Sequence, residues 1–137
     1  GVMHSEFNHS QSQPVHFLQI WIQPDVAGIA PEYQQTRFEP EEKRGRLRLV
    51  ASPDGADGSV RIHQDARLFT GLFDGAERTV LEVAPGRRLY VHVARGKVSA
   101  NGEALDAGDA LKLTDTSVLS LADGADAEVL VFDLPGQ

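Results

Sequence analysis

The sequence predicts an all-β sandwich or barrel. Apolar and polar residues alternate over short runs, which is the period of strands rather than helices. About ten such runs follow one another at regular spacing, each bounded by Pro, Gly, Asn or Asp turn residues. No segment carries a helical apolar stripe of any length. At 137 residues, with 41% hydrophobic and 24% charged residues, the chain has the length and composition of one folded domain.

The runs can be taken in order. PVHFLQIWIQP sets Val15, Phe17, Gln19, Trp21 and Gln23 on one face of a strand and His16, Leu18, Ile20 and Ile22 on the other. Pro14 and Pro24 bound it, because proline donates nothing to a ladder. DVAGIAP reads as a connector over 25–31, YQQTRF as a short strand, and EPEEKRG as a charged loop with room for one helical turn. RLRLVAS alternates Leu47 and Leu49 with Arg46 and Arg48, the pattern of a half-buried strand. SPDGADGS stacks turn formers, Pro with preset φ and Gly with φ > 0. SVRIH, ARLFTGLF, RTVLEV, RLYVHVARG, KVSAN, ALKL, SVLSLA and EVLVFDL continue the series, with DGAE, APG, NGEA, TDT and DGAD as separators.

Charge and composition exclude several partners. A net charge of −7 repels phosphates and argues against nucleic acid. Lys43, Arg44, Arg46 and Arg48 form the one basic run, which reads as a solvated strand edge. With no cysteine, disulfides and thiolate zinc sites are excluded, so any metal must sit on nitrogen and oxygen ligands. No run approaches the roughly 20 apolar residues of a membrane span. No secretory leader is visible, and the expected location is cytoplasmic. The chain begins with Gly1 rather than Met, so the true N-terminus is expected to lie upstream.

His4 and Glu6 open the chain at i and i+2, a spacing that puts both side chains on one face of a strand. An imidazole nitrogen and a carboxylate oxygen suit iron, manganese, nickel or zinc without choosing among them. Two ligands alone hold a metal poorly, and the competing reading of the pair is a frayed terminus. His9 reads as solvated, His16 as a core or interface histidine, and His63 as hydrogen-bonded near a turn with Asp65.

VARGKVSANGEALDAGDALKL resembles the cupin barrels, in which a glycine ends one strand, a hairpin follows, and a Gly-Asp turn introduces the next strand. GVMHSEFN, HFLQIWIQP, GIAPEYQQTRF, LVASPDGADGSVRIHQDARLF and EVLVFDLP, taken in order, resemble the short bacterial pirins, a family that includes quercetin 2,3-dioxygenase-like bicupins. HSEFN and SPDGADGSVRIHQD are the most specific segments, and the resemblance covers essentially the whole chain.

The resemblance implies a cupin (RmlC-like jelly-roll) barrel over 32–137, a connector over 25–31, and N-terminal strands over 1–24 that belong to the end of a preceding, metal-binding cupin. It implies a site of three histidines and one glutamate, of which His4 and Glu6 match the last two; the HxH pair would lie upstream. Glu6 is thereby both ligand and catalytic residue. Iron is the first choice of metal, with nickel, manganese, copper, zinc or cobalt as alternatives, bound weakly or not at all by this chain alone. The implied activity is metal-dependent flavonol 2,3-dioxygenation, with little turnover expected from this piece by itself. In the later barrel His92 stands where an active cupin would carry an HxH pair, but Tyr90 and Ala94 flank it, and TDTSVLSL replaces a later histidine. That barrel is therefore expected to be metal-free. The apolar 15–23 segment is expected to pair with a second copy or with the preceding half. A non-catalytic interaction or regulatory module is the alternative function, and a stable fragment without a separate role is a third.

Overall fold

The computed structural model describes residues 3–136. Its regular structure lies between Pro40 and Leu134, in one short α-helix, one 3-10 turn (Ala56–Gly58) and eight strands. Helix α1 (Pro40–Lys43) is a single turn closed by a capping box: Glu39 accepts from the chain, and the Glu42 carboxylate accepts from the Glu39 amide at 2.7 Å. The strands are β1 (Arg48–Ser52), β2 (Val60–Arg61), β3 (Arg67–Phe73), β4 (Thr79–Glu82), β5 (Arg88–Ala100), β6 (Glu103–Asp106), β7 (Ala110–Leu113) and β8 (Val118–Leu134). They form one sheet in the order β2-β1-β3-β8-β5-β6, with β4 also on β8 and β7 also on β5. The sheet curls around an aliphatic core: Val91 and Val93 of β5, Leu119, Leu121, Val129 and Val131 of β8, and Phe73 of β3 are almost wholly buried. Alternation produces most of this, since β5 over 89–93 and β8 over 127–131 turn every second side chain inward. The all-β barrel expectation holds.

Two of the expected strand breaks, the end at Gly96 and the DGAD separator, do not occur. RLYVHVARG and KVSAN form one strand, β5, and SVLSLA and EVLVFDL form another, β8. Irregularities in the β5–β8 ladder absorb the intervening residues, with register shifts between Val93 and Ser99. Gly96 (φ +70°) lies on one side, and Asp123 (φ 53°) and Asp126 (φ 45°) on the other. A bulge and a turn both need φ > 0, so both select Gly and Asp. Here those residues bend long strands around the barrel instead of reversing the chain.

The strands expected in PVHFLQIWIQP and YQQTRF do not form, and residues 3–39 carry no ladder. A strand needs a neighbour for its N–H and C=O groups, and the described residues place none beside 15–23. The alternation survives without it. Phe17 and Trp21 are 59% and 87% exposed, whereas Leu18 and Ile20 fall to 41% and 39% and Ile22 is half-buried. Ile20 and Ile22 lie near Tyr90 and Phe132 on the outer face of the sheet, where the two rings meet edge to face. The connector and its flanks are tied to the barrel edge by three hydrogen bonds. Gln64 donates to the Gln23 carbonyl (2.8 Å), the Asp25 amide to the His63 carbonyl (2.9 Å), and the Arg61 amide to the Gln34 side chain (2.9 Å).

The basic run is less solvated than expected. Lys43 reaches Glu128, Arg44 reaches Glu77, and Arg48 pairs with Glu42 at 3.3 Å while stacking over Phe38. Arg48 also donates to the Asp57 carbonyl. That last bond fastens the SPDGADGS loop, which brings β2 parallel to β1 through Ala51 and Val60.

Inside the loop the Ser52 hydroxyl, fully buried, meets Ser59 Oγ at 2.8 Å and Asp54 Oδ1 at 2.9 Å. The Ala56 amide donates to Ser52 Oγ and to Asp54 Oδ1, each at 3.1 Å. The Ser52 hydroxyl and then the Ala56 amide hold the Asp54 carboxyl below its ordinary value of 3.8. A depressed carboxylate adds stability above its unfolded pKa and loses it as pH falls through the folded value. Asp54→Asn is therefore expected to leave an acid-unfolding profile less steep on its low-pH side, below 3.8, than the native chain shows. Circular dichroism from pH 7 downward measures this, and superimposable profiles would remove Asp54 from the acid response.

Candidate functional site

His4 and Glu6 come together as the spacing predicts, although no strand carries them. His4 Nδ1 and Glu6 Oε1 stand 3.3 Å apart, with side chains 59% and 67% exposed. Two donors sharing one cation at about 2.0–2.2 Å each lie roughly 3.0–3.6 Å apart, so this separation suits a common ion. Among the described residues no group of three or more His, Cys, Asp and Glu side chains converges. The pair by itself offers two donor atoms. It borders a cleft of about 920 Å³ that the apolar segment 17–24 also lines, with Phe17, Leu18, Ile20 and Trp21 on it. Small-molecule sites commonly have this size and this mixture of an apolar wall with few polar groups.

The other histidines fall elsewhere. His9 is exposed, beside a loop in which Asn8 donates to the Gln13 carbonyl at 2.7 Å and Ser10 Oγ accepts from the Gln13 amide at 2.9 Å. His16, expected in a core or interface, is exposed in this chain, because its segment has no ladder to cover it. His63 does not bond Asp65. The Asp65 carboxylate is held by Arg87 at 2.6 Å. His63 Nε2 is buried without a hydrogen-bond partner among the described residues, 3.6 Å from Glu32 Oε2. His92 lies on β5 opposite Leu130 of β8 and Ala110 of β7, with no metal-ligating side chain registered beside it.

Two features escaped the sequence. The aromatic lining beside His4 and Glu6 had a signal, since Phe17 and Trp21 share one face of an alternating run. The Arg87 clamp had none. Arg87 Nε donates to Asp133 Oδ1 at 2.7 Å and its outer nitrogens reach Asp65 Oδ2 and the Asp133 carbonyl, joining residues far apart in the chain. Burial opposes the charge on Arg87, but hydrogen bonds and charge from Asp133 and Asp65 outweigh it and raise the guanidinium above its ordinary value.

Comparison with known proteins places these features. The family model described as the quercetinase C-terminal cupin domain matches residues 49–134, the span of the strands. A quercetin 2,3-dioxygenase of Escherichia coli K12 is 39% identical over 135 residues, covering 98% of this chain and 57% of that protein. A pirin-like protein of Caulobacter vibrioides is 30% identical over 135 residues, covering 97% of this chain and 57% of its own length. Among solved structures, YhhW of Escherichia coli superposes with a TM-score of 0.79 at 38% identity, over 85% of this chain and 49% of that one. The same bacterial pirin is also known in complex with nickel(II), with a TM-score of 0.78. The chain spans little more than half the length of the curated relatives it matches. A curled eight-stranded sheet matched along its length by the quercetinase C-terminal cupin model, and relatives that cover nearly the whole chain, make this protein a member of the pirin family of cupins.

Proposed function

We propose that this chain is the C-terminal part of a pirin-like bicupin whose intact form is a metal-dependent dioxygenase of flavonols. The observation that carries the reading is the approach of His4 Nδ1 to Glu6 Oε1 at 3.3 Å, on the rim of an apolar cleft. In this reading residues 1–24 complete a first cupin, 25–31 connect, and 32–137 form the second. Two ligands are contributed here and the rest by the preceding half.

A divalent cation held by such a set, iron first and nickel among the alternatives, supplies Lewis acidity and one-electron chemistry. The chain's own residues do the remainder. His4 gives a neutral nitrogen donor. Glu6 gives a carboxylate that offsets cation charge and, as the catalytic residue, stands where an acidic substrate hydroxyl would approach. The segment 17–24 closes one side of the cleft with apolar surface. In the intact protein the 15–23 strand gains its ladder from the preceding half. In the isolated chain a second copy is the substitute, since each large apolar side chain left in water costs about 1.5–3 kcal/mol.

A second reading rests on a different observation. The interior of the 48–134 barrel is filled by aliphatic side chains from β5 and β8. A barrel packed in this way suits a scaffold or a partner-binding role, so a non-catalytic regulatory module is the alternative.

Elemental analysis and quercetin turnover, run on this chain and on a version extended upstream, separate the two. The dioxygenase reading expects about one metal equivalent and turnover in the extended form alone. His4→Ala in that form is expected to abolish both, and unchanged turnover would remove His4 from the mechanism. Sedimentation of the same proteins is expected to show self-association of the short chain only. An extended form with neither metal nor turnover would leave the regulatory reading standing.

A further inference from the structure

Segment 25–34 runs along the barrel edge without joining the sheet, and one buried atom beside it is unsatisfied. That atom is His63 Nε2. The barrel side of His63 is well fixed. The Ile62 amide donates to the Ser52 carbonyl of β1 at 2.9 Å, and Arg87 holds the Asp65 carboxylate. The His63 ring is 29% exposed, yet its Nε2 is buried and bonds nothing among the described residues. Glu32 Oε2 stands 3.6 Å from it, on a side chain 58% exposed and carried by a segment with no ladder. A charge-assisted N–H···O bond is about 2.7–2.9 Å long, so the pair stands less than about 1 Å short of one. The other titratable and charged groups around the ring are already engaged. Tyr33 lines the same groove and donates to Gln35 at 2.6 Å. Asp25, Arg61, Asp65 and Arg67 border the ring with Pro53. Arg61 Nε donates to the Pro53 carbonyl at 3.3 Å, Arg67 lies 4.0 Å from Asp133, and Asp65 belongs to Arg87. Asp25 meets His63 through its backbone, the amide donating to the His63 carbonyl at 2.9 Å. Glu32 is therefore the carboxylate placed to answer a charge on Nε2.

A neutral imidazole carries its proton on one nitrogen only. With the proton on Nδ1, the Nε2 lone pair faces the Glu32 carboxylate and repels it. An imidazolium donates from both nitrogens, and Nε2 then meets an opposite charge. Imidazole is also the side chain that ordinarily changes charge between about pH 5 and 8. We propose that His63 and Glu32 form a protonation-dependent latch. With an imidazolium at His63 the Glu32 carboxylate closes onto Nε2 and fastens segment 25–34 to the barrel edge; with a neutral ring it lets go. The bonds at Gln23, Asp25 and Gln34 flank the latch and hold the segment close enough for it to work. The device lies within this chain and stands whether or not the dioxygenase reading does. Where a preceding half is joined through 25–31, that joint is stiffer in mild acid.

Amide hydrogen exchange on the whole chain tests this, with rates corrected for the intrinsic effect of pH. The Asp25 amide is the reporter, because its bond to the His63 carbonyl breaks when the segment lifts. Its protection is expected to be roughly threefold or more higher at about pH 5.5 than at about pH 8, a size in keeping with a half-exposed ion pair. Glu32→Gln changes an exposed side chain and is expected to abolish that difference, with the urea midpoint of the barrel unchanged. His63→Gln is expected to do the same; if it fails to fold, Glu32→Gln decides alone. Glu32→Gln also separates His63 from His4, His9, His16 and His92, whose own titration it leaves in place. Equal protection of Asp25 at the two pH values in the native chain would overturn the proposal. So would a pH dependence of full size in Glu32→Gln, which would put its origin at another group.

Discussion

Gly96→Val is expected to cost the barrel at least about 4 kcal/mol, the range reserved for backbone conflicts and lost cores. Gly96 sits in β5 with φ +70°, in the left-handed region that side chains rarely adopt. The space is also taken. A Cβ at this position would run into the backbone carbonyls of Ala125 and Asp126 on β8. Those atoms belong to the ladder that joins the two longest strands, so they cannot retreat without opening the barrel. Gly102 provides the control. It too has a positive φ, +86°, but nothing lies within 4 Å of where its Cβ would be. Gly102→Ala therefore isolates the dihedral term and is expected to cost about 1 kcal/mol. Urea midpoints measured on both variants test the pair. Equal losses would show that the close approach of β8 to Gly96 contributes nothing beyond backbone strain.

Arg87→Met is expected to destabilise the chain by about 3 kcal/mol, because it strands a partly buried carboxylate. Arg87 and Asp133 are only 13% and 17% exposed, and their 2.7 Å contact is one of two carboxylate contacts Arg87 makes. Without the guanidinium, the nearest cation to Asp133 is Arg67 at 4.0 Å. The Asp65 turn would also lose its tether to the end of β8. The 3 kcal/mol figure is mostly the penalty of the orphaned charge, so it should shrink when the partner is removed as well. A double-mutant cycle with Asp133→Asn is the measurement, read from chemical denaturation. Strictly additive losses would mean that the two side chains stabilise the fold independently.

The barrel was readable because its information is local. Alternation in LYVHV and EVLVF marks inward and outward faces without any knowledge of the partner strand. The joining of strands was not readable, since Gly96 and the DGAD run have the composition of turns whether they reverse a chain or bend it. His63 shows the same limit for side chains. Its neighbour Asp65 looked like a partner, yet Arg87, 22 residues away, takes that carboxylate. The N-terminal segment is the opposite case. Its pattern was plain, but a ladder depends on a second strand, and the described residues offer none near Phe17. The His4–Glu6 contact was within reach of the sequence because the two residues stand only two apart in the chain.

Strand β8 borders β3, β4 and β5, and it is the last of the eight to be synthesised. A nascent chain on the ribosome therefore holds most of its hydrophobic strands before the one that seals them exists. Closure waits until Leu134 clears the exit tunnel. Until then the exposed rims of β3 and β5 are the surfaces that a chaperone, or a neighbouring nascent chain, would meet first.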